Sequence, residues 1–274
     1  MRSEEVMFSA TFQALLKEAL FTKEMLGTGA TQIRRANYAT RGVYFQAFTS
    51  LSTGLERIGK LSLMLDYRLD HGKFPDLTHL KHEIGHDIVL IYDKSTQVIA
   101  RRALTMEFLS NLNNPIHYAI LTILSEFGKG DRYSNIDLLV GAKRQSDPIA
   151  AWHDQVDQPL FEHSVSTRKK AMIRQRAGAV AALLGPFSTV LHTSESGDTI
   201  NDLEDGSFRT GMFEAVAPLR QLYVLHVIRY FTELLLSLHD LMRSDGDIPS
   251  FSEVFALFYN SDRYMRTRKT WERA

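Results

Sequence analysis

Apolar residues recur at alternating steps of four and three along the stretch from Tyr38 to His71. The stripe comprises Tyr44, Phe48, Leu51, Leu55, Ile58, Ser62, Leu65 and Leu69, all of them apolar except the small Ser62. This spacing places side chains on one side of an α-helix, whereas a half-buried strand would alternate at every second position. The sequence therefore predicts one long amphipathic helix, whose apolar stripe requires other helices to pack against.

Apolar periodicity and capping residues predict further helices on both sides of this stretch. An N-terminal helix carries Phe8, Phe12, Leu15, Leu16 and Leu20 and is expected to end at Gly27 to Gly29. Helix starts are expected at Asp76, at Ser95 or Thr96, at Pro115, at Asp147 with Pro148, and at Ser250. A second long helical segment is expected from Phe208 to Met242, with a break at Pro218, after a polar loop from Thr193 to Ser207.

These elements, and the lack of a convincing strand ladder, predict an all-α bundle of about seven to nine helices. A chain of 274 residues can bury a core of its own. We therefore expect a single all-α domain over residues 1–274. A subdivision into N-terminal helices at 1–145 and C-terminal helices with a basic tail at 146–274 stays open.

The composition narrows the class of protein. The chain is 44% hydrophobic and 23% charged, and its zero net charge argues against a polyelectrolyte that binds nucleic acid with its whole surface. The absence of cysteine excludes disulfides and thiolate metal sites. The N-terminal stretch is charged and no apolar run reaches about 18 residues. We therefore expect no signal peptide, no membrane partner and a cytoplasmic location.

Residues His82 to His86 match the zinc-peptidase pattern H-E-x-x-H. Histidines four apart share a helical face and can both bind Zn²⁺, and Glu83 beside them can act as general base on a metal-bound water. Opposite charges flank the motif, and its extended G-x-x-H continuation is missing. The alternative is that His86 and Asp87 form hydrogen bonds between helices, with no metal bound.

Arg220 and His226 form a second candidate on the second long helix. A histidine titrating near neutral pH can move the proton of an RNA 2′-hydroxyl, and a guanidinium can hold the scissile phosphate. The sequence therefore offers them as a catalytic pair for RNA cleavage. The alternative is that His226 is a hydrogen-bonded core histidine.

Two clusters of basic residues are candidates for contact with RNA. The first cluster comprises Arg168, Lys169, Lys170, Arg174 and Arg176. The second, in the C-terminal tail, comprises Arg263, Arg266, Arg268, Lys269 and Arg273, interleaved with Tyr264 and Trp271. Cations with neighbouring aromatic rings suit single-stranded nucleic acid, through phosphate contacts and base stacking. Each cluster can equally be a solvated face, and the tail can simply dock on the bundle.

Two stretches resemble bacterial HEPN-like helical proteins. The first comprises Tyr44-Phe45-Gln46-Ala47-Phe48 through Gly54-Leu55-Glu56-Arg57, then Leu80-Lys81 and Gly85-His86-Asp87-Ile88. The second, Arg132 to Asp137, is similar to the R-Y-x-N-h-D stretch of such proteins, where h is apolar. The resemblance covers residues 38–140, and the last helix and tail show a weaker similarity.

Active members of the HEPN superfamily are metal-independent ribonucleases with an R-x(4–6)-H motif, two copies of which meet across a dimer. In this chain only Arg220 and His226 match that motif. The resemblance implies a HEPN-like helical core, RNA as substrate, a homodimer, and no metal or cofactor. Many members act as toxins or effectors in anti-phage defence, so a partner protein of a defence system is also implied.

Three functions therefore stay open from the sequence. The first is a HEPN-like ribonuclease or toxin-type effector, with His226 as general acid or base and Arg220 on the phosphate. The second is a non-catalytic HEPN-like module that binds RNA or a protein, since some HEPN-like proteins lack activity. The third is a zinc hydrolase that uses His82, Glu83 and His86.

Overall fold

The computed structural model describes residues 8–141 and 146–272, and they form an all-α bundle, as predicted. The helices are α1 (Ala10–Arg35), α2 (Gly42–His71), α3 (Leu77–His79), α4 (Ile88–Arg101), α5 (Pro115–Lys129), α6 (Ser134–Leu139), α7 (Pro148–Trp152), α8 (Gln158–Ser164), α9 (Thr167–Leu184), α10 (Leu203–Asp240), α11 (Phe251–Phe255) and α12 (Asp262–Thr267). The described residues hold more helices than the predicted seven to nine, because several segments expected to be continuous are interrupted.

Helix α2 confirms the long amphipathic helix that the apolar stripe predicts. Tyr44, Phe48, Leu51, Leu55, Ile58, Ser62 and Leu65 are all fully buried. The helix begins at Gly42 rather than Tyr38, because Asn37 caps a separate short 3-10 turn over Tyr38–Thr40. It ends where expected, since Gly72 adopts the left-handed conformation that terminates helices. Helix α2 is thus the scaffold on which α1, α4, α5 and α10 pack.

The expected end of the first helix at Gly27 to Gly29 is wrong, because α1 continues to Arg35. These glycines lie inside the helix, at places where another chain segment approaches closely. A Cβ on Gly27 would overlap the carbonyl oxygen of Trp271, and a Cβ on Gly29 would overlap the side chain of Leu51. The glycines therefore permit close packing and do not act as a stop signal.

The region after α2 is more broken than the sequence indicates. Asp76 caps a helical turn, as expected, by accepting a hydrogen bond from the His79 backbone N–H. A π-helical turn, Leu80–Ile84, follows and ends at Gly85, whose φ is +67°. Helix α4 then starts at a new cap, Asp87, so the expected cap at Ser95 or Thr96 is wrong.

Helix α10 is the longest element, and the break expected at Pro218 is absent. Pro218 removes one backbone hydrogen bond, to the carbonyl of Glu214 one turn earlier, but α10 packs against other helices along its length and stays continuous. The helix also starts earlier than expected, at Leu203, because Asp202 caps it. The preceding loop contains a small antiparallel hairpin of β1 (His192–Thr193) and β2 (Thr199–Ile200).

The buried core is one continuous cluster that includes side chains from α1 through to the C-terminal tail. Helix α10 contacts α1, α2, α5, α8, α9, α11 and α12. The tail closes the bundle, because Trp271 is fully buried and its backbone N–H donates to the Thr31 hydroxyl at 2.8 Å. Within the ranges 8–141 and 146–272, no helix has the length and apolar character needed to cross a bilayer.

Candidate functional site

Arg220 lies in the core, with no part of its side chain exposed. Its Nη1 donates to a carboxylate oxygen of Asp157 at 2.8 Å and to the Tyr44 hydroxyl at 3.1 Å. Its Nη2 donates to the backbone carbonyl of Ala36, at the end of α1. These bonds tie α10 to three other segments of the bundle.

The surroundings of Arg220 hold both charges of this ion pair in place. Asp157 also accepts a hydrogen bond from the indole N–H of Trp152 at 3.2 Å and one from the Tyr44 hydroxyl at 3.3 Å. Burial opposes the charged guanidinium, but the charges and hydrogen bonds of Asp157 and Tyr44 together outweigh it, and the pKa of Arg220 is raised. The predicted role of Arg220 on a scissile phosphate disagrees with this geometry, because a phosphate has no path to the buried side chain.

His226 lies on a different side of α10 and is almost fully buried. Its Nδ1 shares a hydrogen bond with Nε2 of His117 at 3.1 Å. Its Nε2 is 3.1 Å from a carboxylate oxygen of Asp262, the first residue of α12. Arg229 pairs with the same carboxylate at 2.9 Å, so a single acidic group serves both side chains.

The two histidines of this network are held in their neutral form. Burial, and next the charge of His226, lower the pKa of His117 to about 3. Burial also lowers the pKa of His226, although Asp262 opposes that shift. A neutral imidazole oriented by a carboxylate is chemically suited to accept a proton. Here the ring nitrogens of His226 are engaged inside the protein, an arrangement that fits the core-histidine alternative.

The structure therefore does not bring the predicted catalytic pair together. Arg220 points toward Ala36, Tyr44 and Asp157, whereas His226 points toward α5 and α12. Six helical positions place the two residues about 120° apart around the α10 axis. The catalytic assignment stays a prediction, and in this conformation Arg220 and His226 do not form one site.

We expect the His117–His226 network to make the fold less stable as the pH falls from about 7 to 4. Below its ordinary pKa of 6.5, the unfolded His117 binds a proton that the folded ring, with a pKa of about 3, excludes. Its contribution is thus complete above that ordinary pKa and is lost as the pH falls toward the folded value. Urea unfolding of the protein and of His117→Gln at several pH values in this range measures the free energy of unfolding of each. That free energy should fall less steeply with decreasing pH in the variant. Equal slopes would contradict this account.

The first basic cluster lies on α9 and is mostly exposed. Arg168, Lys169, Arg174 and Arg176 face solvent, and none of them forms an ion pair among the described residues. Lys170 is half-buried and donates to the backbone carbonyl of Glu162 at 2.6 Å. All five cations lie within the 18 residues of α9, which contain no Asp or Glu. The cluster is thus a cationic surface that its own helix leaves unneutralised.

The exposed face of α9 continues into an apolar surface. Leu183 and Leu184 at its C-terminal end are exposed, and Phe187 and Leu191 just beyond it are 88% and 87% exposed. Large apolar side chains this exposed are unusual in a cluster and indicate an interaction surface. The surface therefore has cations at one end and apolar groups at the other.

The C-terminal tail docks on the bundle, in line with the alternative to RNA contact. The Arg268 guanidinium lies over the buried Trp271 ring, 5.5 Å from its centroid. The backbone carbonyl of Lys269 accepts a hydrogen bond from Gln221 at 3.1 Å. Arg263 and Arg266 are exposed on α12, and Arg273 lies outside the described residues. Part of the tail thus packs against the bundle and covers its core.

The H-E-x-x-H motif does not lie on a continuous helix. His82 and Glu83 belong to the π-helical turn, which ends at Gly85, a residue with a positive φ, before His86 is reached. Nδ1 of His86 is 2.8 Å from a Glu56 carboxylate oxygen, and Asp87 accepts from the Ser125 hydroxyl at 2.8 Å. His86 and Asp87 thus form hydrogen bonds to α2 and α5, as the alternative interpretation predicts. Across the described ranges, no group of three or more His, Asp or Glu has the arrangement of a metal site.

Sequence reasoning missed the partners that define these environments. Asp157, which pairs with Arg220, and His117 and Asp262, which contact His226, carried no motif signal. They lie 63, 109 and 36 positions from the residues they bind. The only available hint was that charged and polar residues in so apolar a helix require partners of their own.

Comparisons with known proteins gave no significant match to a family model, a curated protein or a solved structure. The features that bear on function are therefore the surface and the buried groups of this chain.

Proposed function

We propose that this protein is a non-catalytic module that binds single-stranded RNA through the exposed face of α9. The observation that supports this proposal is the acid-free helix with five cations, four of them exposed. Phosphate groups supply most of the affinity in protein–nucleic acid complexes, and they require unpaired Arg and Lys side chains. Cations already held in ion pairs would have to lose their protein partner before they could bind a phosphate.

The neighbours of α9 indicate which cations are best placed for phosphate. Arg174 borders a surface hollow that also includes Asp202, Glu204 and Asp205 at the start of α10. These carboxylates reduce the positive potential around Arg174. Arg168, Lys169 and Arg176 are also exposed, and none of them lines this hollow. We assign the main phosphate contacts to these three residues.

Phe187 gives the same surface a group for base stacking. Its ring is 88% exposed and follows α9 directly, in the 3-10 turn Gly185–Phe187. A base stacked on an aromatic ring contributes about 1–3 kcal/mol, with little dependence on sequence. A strand whose backbone follows the cations can place a base on this ring. Single-stranded RNA therefore suits the surface better than a duplex, whose bases are stacked internally.

Reversing the charge of Arg168, Lys169 and Arg176 to Glu is expected to weaken RNA binding by roughly 10- to 100-fold. The slope of log affinity against log salt should also fall by about 2, since each lost contact to a single strand contributes about 0.7. Fluorescence anisotropy with a labelled oligonucleotide of mixed sequence, repeated at several salt concentrations, measures both quantities. Phe187→Ala should weaken binding and leave the salt slope unchanged.

The matched control reverses three exposed cations on other faces, Lys17, Arg35 and Lys73. It carries the same change in net charge, so a loss of binding confined to the α9 variant locates the surface. Equal losses in both variants, or binding that survives the α9 variant, would refute the proposal. Circular dichroism melting of each variant shows that the fold is retained.

A metal-independent ribonuclease is the second candidate, favoured by one observation. The carboxylate of Asp262 orients the neutral imidazole of His226, which would act as a base once the hydrogen bond between its Nδ1 and His117 is broken. RNA cleavage in the presence of a chelator, abolished by His226→Ala in a folded protein, is the expected result for this function. RNA binding that persists in His226→Ala without cleavage by either protein supports the binding module instead.

A further inference from the structure

A groove of about 500 Å³ lies between α1, α2 and the short segment from Leu77 to Lys81. Its apolar lining comes from Leu15, Leu61, Met64, Leu77 and Leu80. Leu15 and Leu61 are buried beneath it, whereas Leu77 is largely exposed at its edge. Volumes of this size are typical of small-molecule sites, and the lining resembles that of an apolar ligand pocket.

The charged side chains around the groove are mainly cationic. Arg57 is held by Glu18 through two hydrogen bonds from Nη1, at 2.6 and 2.8 Å. Lys60 is held by Glu56 at 2.8 Å. Lys81 also lines the groove, and among the described residues it has no ion pair. His86 also lines the groove and shares the Glu56 carboxylate with Lys60. Of the Arg and Lys side chains at the rim, Lys81 is thus the one without a carboxylate partner among the described residues.

We propose that this groove binds a small amphipathic carboxylate, such as a free fatty acid of medium length. The apolar chain lies along Leu15, Leu61 and Met64, and the carboxylate pairs with Lys81 at the rim. The charge favours an anion over a neutral or cationic amphiphile, because Lys81 is uncommitted and the carboxylates at the rim are already paired. The proposal is independent of RNA binding, since α9 contributes nothing to the groove.

The wall that carries Lys81 is bounded by two glycines with positive φ angles. Gly72 has a φ of +69° and Gly85 has a φ of +67°, and the chain between them holds α3 and the π-helical turn. Helices α1 and α2 form the opposite walls and are both long and continuous. This wall is therefore a short segment placed between two turns, and it includes His82 and Glu83 of the H-E-x-x-H motif.

Three twelve-carbon probes test the assignment by isothermal titration calorimetry below their micelle concentrations. Dodecanoate should bind with one molecule per chain, roughly tenfold or more tighter than dodecanol, because one charge-assisted hydrogen bond contributes about that factor. Dodecyltrimethylammonium should bind more weakly than dodecanol, because its charge opposes that of Lys81. Vesicles containing an anionic phospholipid should give no binding that depends on Lys81.

Two variants and one control locate the site. Lys81→Met keeps an aliphatic stem and should weaken dodecanoate roughly tenfold while leaving dodecanol unchanged. Ala14→Trp, at an exposed position of α1 that lines the groove, should fill it and abolish binding of both probes. Lys17→Met removes a charge from a residue one turn along α1 that does not line the groove, and it should leave both affinities unchanged.

Several results would overturn the proposal. Equal affinity for dodecanoate and dodecanol, or no effect of Lys81→Met, would remove the carboxylate assignment. Binding that survives Ala14→Trp in a folded protein would place the ligand elsewhere. A dimer in sedimentation experiments that Ala14→Trp dissociates, with no probe binding, would instead identify the groove as an interface between two copies of the chain. Vesicle binding that Lys81→Met abolishes would make a lipid surface the ligand.

Discussion

Replacing Arg220 with methionine is expected to lower the free energy of unfolding by about 3–5 kcal/mol. The substitution leaves Asp157 charged and buried, with only the Tyr44 hydroxyl and the Trp152 indole N–H as partners. It also leaves the Ala36 carbonyl without its guanidinium donor. An uncompensated buried charge is among the largest penalties that a single substitution can cause. Urea unfolding followed by circular dichroism measures the loss.

Two comparisons separate this effect from a general loss of charge. Arg57→Met breaks the partly exposed ion pair with Glu18 and should cost about 1 kcal/mol or less. The double variant Arg220→Met with Asp157→Leu removes both buried charges and should recover most of the lost stability. A small effect of Arg220→Met alone, with loss of RNA cleavage, would show that the ion pair is dispensable and would restore Arg220 as a catalytic residue.

Gly27→Ala is expected to destabilise the protein by about 1–3 kcal/mol, although alanine is the better helix former. The added Cβ would overlap the backbone carbonyl of Trp271, and neither backbone can move without shifting a helix or the tail. The C-terminal tail should loosen first, because it is held by few hydrogen bonds. Thermal unfolding and the rate of proteolysis within the tail measure the two consequences.

Gly178→Ala is the matched control, a helix-interior glycine on α9. A Cβ there would meet only a Glu204 side-chain oxygen at 3.7 Å, an ordinary contact. This substitution should therefore be neutral or should stabilise by up to about 1 kcal/mol. If both glycine variants changed stability in the same direction, the close approach of the tail to α1 would not be the cause.

Local signals in the sequence were sufficient to predict the fold class and the main helix. The stripe of α2, the stop at Gly72 and the caps at Asp76 and Asp147 each act within one or two helical turns. Such signals need no knowledge of the rest of the chain. The helix boundaries that depend only on them are therefore close to those observed.

The errors in the fold have a common physical origin in tertiary contacts. Gly27 and Gly29 resemble a helix stop in isolation, but they are required where the tail and α2 approach α1. Pro218 resembles a break, but packing along both ends of α10 keeps the helix continuous. Gly85 is the opposite case, because the helix is interrupted there although the apolar pattern of the sequence continues.

The candidate sites were harder to predict than the fold, because side-chain chemistry depends on burial. An arginine six positions before a histidine matches a catalytic motif in the sequence. In the structure, Arg220 is buried and paired with Asp157, so it is part of the core. The cations of α9 were identified correctly as a cluster, and their exposure is what the sequence could not provide. The resemblance to HEPN-like proteins, the dimer and the defence role stay predictions.

The two tryptophans give the chain a pair of built-in optical probes. Trp152 is held beside Asp157, next to the Arg220 ion pair, and Trp271 lies where the tail meets α1. Since both rings are shielded from water, emission of the native state should be blue-shifted and should move to longer wavelength on exposure. Variants with a single tryptophan would then report, by their emission wavelength, whether the centre of the bundle or its tail unfolds first.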